Sequence, residues 1–196
     1  MADFMMVGGF GLIMPIFAVF IVQSIEGGSL EVVGLAMTIY LLVKSVGQIP
    51  VAFLIDKIKG ERDDFWAVII GYFMYALLPL LYIFIKTPAQ LYVIQVFYGL
   101  ASAICFPAWY AIFTRHIDKN QEGMEWGVYN TLTDLGGALA AGMGGFIASK
   151  FGFFPLFVII SIVMLVGVLL FALIYNDMRT GHIIKIKRQD SRGSKI

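Results

Sequence analysis

Two charged side chains, Lys44 and Asp134, lie within long apolar stretches of this 196-residue chain. A charge at the centre of a bilayer costs about 2.5–3.5 kcal/mol on insertion scales, so it usually faces a water-filled cavity or an opposite charge. Counted at about 1.5 Å per residue from the nearest charged loops, the two residues lie within roughly one turn of each other in depth. Three interpretations stay open. The two residues form an intramembrane ion pair, or they belong to a substrate or coupling-ion site, or their side chains snorkel toward the membrane surface or the helices are assigned wrongly.

Polar and aromatic side chains also recur along residues 90 to 114. Spacings of three and four residues place a set of them on one face of a helix: Gln95, Tyr98, Ser102, Cys105 and Trp109. This stripe fits either the wall of a solute-binding cavity or a polar seam between helices. Together with residues of other segments, the predicted cavity residues are Gln23, Lys44, Gln95, Tyr98, Trp109, Asn130 and Asp134.

The sequence contains no motif for ATP-driven or metal-dependent chemistry. A P-loop, HExxH and CxxC are all missing, and the two histidines are His116 and His182. One cysteine, Cys105, cannot form an intrachain disulfide. We therefore expect no catalytic residue, no metal and no other cofactor, and we predict neither an enzyme nor a nucleic-acid-binding protein.

Six apolar segments carry the residues described above. The chain is 60% hydrophobic and only 14% charged, whereas about a quarter of the residues in soluble domains are charged. Each segment reaches the roughly 20 residues that a helix needs to cross a bilayer, and runs that are apolar on every face exclude barrel strands. The predicted fold is an all-α integral membrane bundle over residues 1–176, followed by a basic cytoplasmic tail over 177–196. The segments are residues 4 to 25, 31 to 55, 65 to 86, 90 to 114, 125 to 149 and 155 to 176.

Basic residues are unevenly distributed between the two sides of this bundle. Lys86 and Lys150 follow the third and fifth segments, and eleven basic residues follow the second, fourth and sixth. Those eleven are Lys57, Lys59, Arg62, Arg115, Lys119, Arg179, Lys185, Lys187, Arg188, Arg192 and Lys195. By the positive-inside rule both termini are predicted to lie in the cytoplasm, in a multi-pass protein of the cell membrane.

Small residues are concentrated in the fifth segment. They let helix backbones approach closely where lipid provides no hydrophobic drive between helices. The predicted packing positions are Gly127, Gly136, Gly144 and Gly145. Because the loop after segment two corresponds in inverted sense to the loop after segment five, we also predict a three-plus-three inverted repeat.

The loop after segment two, residues 52–62, resembles the cytoplasmic signature of the major facilitator superfamily. That signature has Gly, three residues, Asp, a basic residue, and then Gly with further basic residues. The corresponding positions here are Asp56, Lys57, Gly60 and Arg62, with Ala52 in place of the first Gly and one extra residue before Gly60. The resemblance implies a cytoplasmic gate at these positions, in which Asp56 latches one half of the protein against the other.

The fifth segment is similar to the fifth-helix pattern of the same family. Gly127, Gly136 and the pair Gly144-Gly145 keep the family's spacing, while Ala140-Ala141 stands where the family has Gly-Pro. In the fourth segment Gln95 precedes Gly99 by four residues, where many proton-coupled members carry Arg. The chain therefore resembles one six-helix half of such a transporter, but it departs from the pattern of the proton-coupled members.

This resemblance implies secondary-active or facilitative transport of a small solute by alternating access. The family uses twelve helices and binds its substrate between two halves. A second half is therefore expected, supplied by a homodimer, by a separate chain or by the remainder of a longer protein. The alternative is a membrane interaction or assembly subunit that transports nothing and uses its polar stripes as contacts with a partner.

Overall fold

A computed structural model describes residues 2–58 and 61–193, with side chains for residues 4–58 and 61–173. Every regular element within these ranges is helical, so the prediction of an all-α protein is confirmed. The elements are α1 (Ala2–Ile13), a 3-10 turn (Met14–Ile16), α2 (Phe17–Ser24), α3 (Leu30–Lys57), α4 (Arg62–Leu81), α5 (Pro88–His116), α6 (Glu122–Phe151) and α7 (Phe153–Gly193). Together α1 and α2 form the first predicted segment, and α3 to α7 are the other five.

Five of these segments are long and apolar enough to cross a membrane: Phe4–Ser24, Leu30–Lys57, Arg62–Leu81, Pro88–His116 and Phe153–Leu173. The remaining helix, α6, has 30 residues, which is also ample for a bilayer. Its glycines and polar residues lower its hydropathy, because glycine contributes no apolar side chain. The chain is a multi-pass membrane protein.

Helix packing follows the predicted inverted repeat. The first segment packs on α6 and α7, α5 packs on α3 and α4, and α4 packs on α7. In the inverted repeat, the first three segments correspond in order to the last three, so that the first segment corresponds to α5, α3 to α6 and α4 to α7. The α3–α5 contact therefore corresponds to the contact of α6 with α1, and the α4–α5 contact corresponds to that of α7 with α1. The α4–α7 contact maps onto itself, as the contact on a pseudo-twofold axis must.

Aromatic rings hold α4 against α7 near both ends of their contact. Phe65, in the first turn of α4, stacks on Phe171 with 5.2 Å between ring centroids. At the opposite end, Tyr82 packs on Phe157 with centroids 5.3 Å apart. These two contacts establish that α4 and α7 are antiparallel, and that they are fixed to each other at two separate levels.

Proline interrupts the first segment. Pro15 lies in the 3-10 turn between α1 and α2, where it cannot donate the backbone hydrogen bond of a continuous helix. By contrast, Pro50, Pro79 and Pro107 lie inside α3, α4 and α5, which are not interrupted. Of these four prolines, Pro15 alone breaks its helix.

Glycine permits a backbone contact between α1 and α6. A Cβ atom on Gly144 would overlap the carbonyl oxygen of Leu12, and one on Gly136 would overlap the ring of Phe4. Gly127 and Gly145, also predicted as packing positions, have open space where a Cβ would lie. The four predicted glycines therefore divide between a face that contacts α1 and a face beside which the described residues leave open space.

An ion pair joins the first turn of α4 to the last turn of α5. Arg115 Nη1 donates to Asp64 Oδ2, and the Asp64 side chain is fully buried while that of Arg115 is 37% exposed. The second carboxylate oxygen of Asp64 has no hydrogen-bond partner. The carboxylate consequently depends on one guanidinium for compensation of its charge.

The predicted boundary between bundle and tail, at residue 176, does not coincide with a helix end. Helix α7 continues through it to Gly193. The side chains of the predicted tail lie outside the described residues.

We expect Gly144→Ala to destabilise the bundle by about 1–3 kcal/mol, the usual cost of forcing an extra group into a packed core. Gly137→Ala is the matched control, because it lies two turns earlier on α6 and its Cβ would meet no atom within 4 Å. Thermal unfolding of the two variants in detergent measures the difference. Equal shifts in melting temperature would contradict the α1–α6 contact described here.

For the ion pair, Arg115→Gln should destabilise the protein more than Asp64→Asn does. The first change leaves a buried carboxylate uncompensated, and the cost should be below the about 3–5 kcal/mol of a fully buried pair because Arg115 is 37% exposed. The second leaves an arginine that already reaches solvent. Chemical unfolding of both variants and of the double variant forms a thermodynamic cycle, in which the double variant should recover much of the loss. Strictly additive effects would show that the pair contributes nothing as a pair.

Candidate functional site

A hydrogen-bonded cluster of hydroxyl groups lies between α3, α4 and α5. The Ser102 hydroxyl is 2.8 Å from the carbonyl oxygen of Tyr98 and 3.2 Å from the hydroxyl of Tyr40. The hydroxyls of Tyr75 and Ser102 are also hydrogen-bonded to each other. Because buried hydroxyls need partners, this cluster specifies how the three helices fit together.

Gln95 extends the same seam by one more contact. Its Nε2 donates to the hydroxyl of Tyr82 over 2.9 Å, and the side chain is almost completely buried. Four stripe residues, Gln95, Tyr98, Ser102 and Cys105, thus face the interior of the bundle. Of the two interpretations of the stripe, the structure supports the polar seam for Ser102, while Gln95 and Tyr98 also reach a cavity.

That cavity has a volume of about 230 Å³ and lies between the first segment, α3, α5 and α7. Its few polar groups come from tyrosines and from Gln95. The remaining surface is apolar, and it is supplied by Phe10, Ile13, Met14, Phe17, Ala18, Val33, Met37, Ile160 and Met164. The interrupted helix contributes Met14, so the 3-10 turn forms part of the wall.

A second cavity, of about 210 Å³, adjoins the first. Phe10, Tyr40 and Met164 line both cavities. The second one extends toward Phe106 and Tyr72. Both cavities are mostly apolar, and each opens to the outside of the bundle.

Lys44 lies beside the second cavity, one turn beyond Tyr40 on α3. The side chain is partly buried, and its Nζ is 4.4 Å from the centroid of the Phe106 ring. Asp134 is exposed on α6. The ion pairs between described side chains do not include one between these two residues. The sequence predicted a similar depth for the two residues, but α3 packs on α5 whereas α6 packs on α1.

Helix α6 presents three distinct faces. One packs on α1 through Gly136 and Gly144. A second is an exposed apolar stripe, formed by Val128, Leu132, Leu135, Leu139, Met143 and Phe146. The third, which we call the polar face of α6, carries Gly127, Asn130, Thr131, Asp134, Gly142 and Gly145, of which Asn130, Thr131 and Asp134 are exposed.

Helix α3 repeats this arrangement. Its exposed apolar stripe consists of Leu35, Leu42, Val46, Ile49 and Phe53. Its polar face carries Gly34, Thr38, Ser45 and Gln48, with the exposed Leu41 among them. On both polar faces a threonine hydroxyl donates to the carbonyl oxygen of a glycine one turn earlier: Thr38 to Gly34 over 2.9 Å and Thr131 to Gly127 over 2.8 Å. The two helices that correspond in the inverted repeat thus have corresponding faces.

Two other predicted cavity residues lie apart from the cavities. Gln23 is exposed near the end of α2. Trp109 is buried in an aromatic cluster between α5 and α6, where its ring stacks on Phe113 at 5.1 Å and packs on Tyr129 at 5.0 Å. Trp109 therefore packs against neighbouring rings, and it lines neither of the two cavities described above.

The predicted gate residues surround the α3–α4 connection. Asp56 and Lys57 are exposed in the last turn of α3, and Arg62 is exposed at the start of α4. Gly60 lies outside the described residues. Within the part of the chain that the structure describes, Asp56 forms no ion pair. A latch against a second half would have to use a partner from outside this bundle.

Sequence reasoning missed several residues of the site. Tyr40, Tyr75, Tyr82 and Phe106 line the cavities or complete the hydroxyl cluster. The spacing of Tyr72, Tyr75 and Tyr82 on one face of the third segment was an available signal. In the described ranges, no three His, Cys, Asp or Glu side chains are grouped so as to hold a metal ion.

Comparison with known proteins agrees with the multi-pass membrane fold described above. A family model described as Major Facilitator Superfamily matches residues 1–195. The chain is 30% identical over 144 residues to the MFS-type transporter MJ1560 of Methanocaldococcus jannaschii, covering 74% of this chain and 36% of the relative.

Two further relatives are named as proton-coupled antiporter flippases LtaA. The one from Staphylococcus saprophyticus is 30% identical over 94 residues, covering 48% of this chain and 23% of the relative. The one from Staphylococcus epidermidis is 26% identical over 142 residues, covering 69% of this chain and 34% of the relative. The chain thus spans about a third of the length of the curated relatives it matches. With a family match over almost its whole length, this chain belongs to the Major Facilitator Superfamily.

Proposed function

We propose that this chain is a half-size transporter subunit, which moves a small solute across the membrane by alternating access together with a second six-helix half. Membrane transport is the activity named for its relatives. The observation that carries the proposal is the pair of unpartnered polar faces on α3 and α6. In the part of the chain that the structure describes, Thr38 and Ser45 on α3 and Asn130, Thr131 and Asp134 on α6 are all exposed.

Lipid is a poor neighbour for these two faces. Asp134 is exposed on α6, and a carboxylate at the bilayer centre costs about 2.5–3.5 kcal/mol on insertion scales. Glycines such as Gly127 and Gly145 have open space beside them, where a helix of another bundle can approach closely. These features favour a water-filled cavity bounded by a second half, with the apolar stripes of α3 and α6 turned toward lipid.

A second copy of this chain is our preferred source of the missing half. The two halves of a facilitator transporter are related by an axis along the membrane normal. Two identical chains that insert in the same orientation can form a twofold-symmetric dimer about the same kind of axis. A separately encoded half, or the remainder of a longer protein, would serve the same purpose. In each case both termini of this chain would lie in the cytoplasm, because eleven basic residues flank that side.

Within this assembly the predicted residues take two roles. Lys44, Gln95, Tyr98, Asn130 and Asp134 would line the route of the solute. Asp56, Lys57, Gly60 and Arg62 would close its cytoplasmic end against the second half. Asp56 and Arg62 are exposed and available for such a contact.

The oligomeric mass of the full chain in lipid nanodiscs tests the source of the second half. We expect a homodimer, with twice the 21.7 kDa mass of one chain. Gly145→Leu should reduce it to a monomer, since a large side chain on the polar face of α6 blocks close approach. Leu139→Ala is the control on the exposed apolar stripe and should leave the mass unchanged. A wild-type chain that is strictly monomeric would exclude the homodimer.

Cysteine labelling tests alternating access without knowledge of the solute. In a Cys105→Ser background, Asn130→Cys should react with a membrane-impermeant maleimide added from either side of the membrane, because the polar face of α6 would line a cavity open to each side in turn. Leu139→Cys is the control on the same helix, and it should stay unlabelled because it faces lipid. An Asn130→Cys variant protected from both sides would identify a sealed interface and favour the non-transporting assembly subunit.

A further inference from the structure

Among the side chains that the structure describes, the ammonium group of Lys44 has an aromatic partner and no carboxylate partner. Its Nζ lies 4.4 Å from the centre of the Phe106 ring, and the ion pairs among the described side chains involve other residues. A ring face attracts a cation, but it accepts none of the three N–H hydrogen bonds that an ammonium group can donate. Lys44 is thus able to bind an anionic group in the interior of the membrane.

The cavities beside the charged Lys44 are mostly apolar. Phe106, which holds the ammonium, also lines the second cavity, and Tyr40 lines both cavities one turn away. Several of the polar groups near them bond to one another, since Gln95 bonds to Tyr82 and Ser102 bonds to Tyr40. Since the rest of the lining is apolar, the cavities suit an apolar chain better than a sugar.

The order of these features along α3 defines an elongated site. Val33 lines the first cavity and Tyr40 lines both, and Lys44 follows at the end. From Val33 to Lys44 the helix rises about 16 Å, at 1.5 Å per residue. The site is therefore apolar along its length and positively charged at one end.

We propose that this site binds a single-chain amphiphile with an anionic head group, whose chain occupies the two cavities and whose head group binds Lys44. The cavities of about 230 and 210 Å³ are each smaller than the usual ligand pocket of about 300–1,000 Å³, and only in combination do they reach that range. Because Phe10, Tyr40 and Met164 stand between the two cavities and line both, a single flexible chain fits the pair better than a bulky ring system. This inference rests on the proposed function, because it names the class of solute that the transporter would carry.

Calorimetric titration of the purified full chain in amphipol tests the proposal. The probes are dodecanoate and dodecyl phosphate, with dodecanol as the uncharged ligand of equal chain length and with acetate and inorganic phosphate as head groups without a chain. We expect both anionic amphiphiles to bind, dodecanol to bind about tenfold more weakly, and the two small anions not to bind. Dodecanol binding as tightly as dodecanoate, or inorganic phosphate binding alone, would overturn the proposal.

Two variants and a control locate the binding. Lys44→Gln should weaken dodecanoate binding by about tenfold and leave dodecanol unchanged, whereas Met37→Trp should weaken both by filling the first cavity. Lys86→Gln, which removes a lysine from the α4–α5 connection, should change neither. Circular dichroism and gel filtration verify that each variant is folded. Unchanged dodecanoate binding in the Lys44→Gln variant would overturn the assignment of the head-group site.

Failure of this inference is distinguishable from failure of the proposed function. If the amphiphiles do not bind but Asn130→Cys is labelled from both sides, the transporter carries another class of solute and the inference alone is wrong. If the amphiphiles bind but Asn130→Cys is protected from both sides, the amphiphile is a bound lipid of a non-transporting subunit.

Discussion

Hydrocarbon offers no hydrogen-bond partner to a polypeptide backbone, and the architecture of this chain depends on that constraint. Each segment must satisfy its own peptide groups, which makes every crossing a helix. Lipid also provides no hydrophobic drive for one helix to leave it and join another. The helices therefore associate through features that lipid cannot replace: a glycine against a backbone carbonyl, a serine between tyrosine hydroxyls, and a carboxylate against a guanidinium.

These three kinds of contact together involve α1, α3, α4, α5 and α6. Gly144 brings α6 onto α1, the Ser102 cluster joins α3, α4 and α5, and Asp64 with Arg115 ties α4 to α5 at one end. All of them lie on inward faces, so the bundle is complete without using the polar faces of α3 and α6. For this reason Asn130 and Asp134 are available for a cavity or a partner, although they lie in the middle of a membrane helix.

The sequence predicted the number of helices and the membrane class because both depend on long runs of apolar residues. It predicted the close-packed glycines as a group. It did not separate Gly144, which touches α1, from Gly145, where the described residues leave open space for a Cβ, because that difference depends on helix rotation. Spacing placed Gln95, Tyr98 and Ser102 on one face and left open whether the face was a cavity wall or a seam. A similar depth was predicted for Lys44 and Asp134, yet pairing also requires neighbouring helices, which only the three-dimensional packing reveals.

The aromatic contacts near the two ends of the α4–α7 contact have a mechanical consequence. Phe65 packs on Phe171 and Tyr82 packs on Phe157. Because the two helices are joined at two separate levels, they resist sliding past each other. The first segment differs from this pair, because its helix is interrupted by the 3-10 turn at Met14–Ile16 and Met14 lines the first cavity. A ligand entering that cavity would therefore contact the helix at the point where its backbone hydrogen bonding is interrupted.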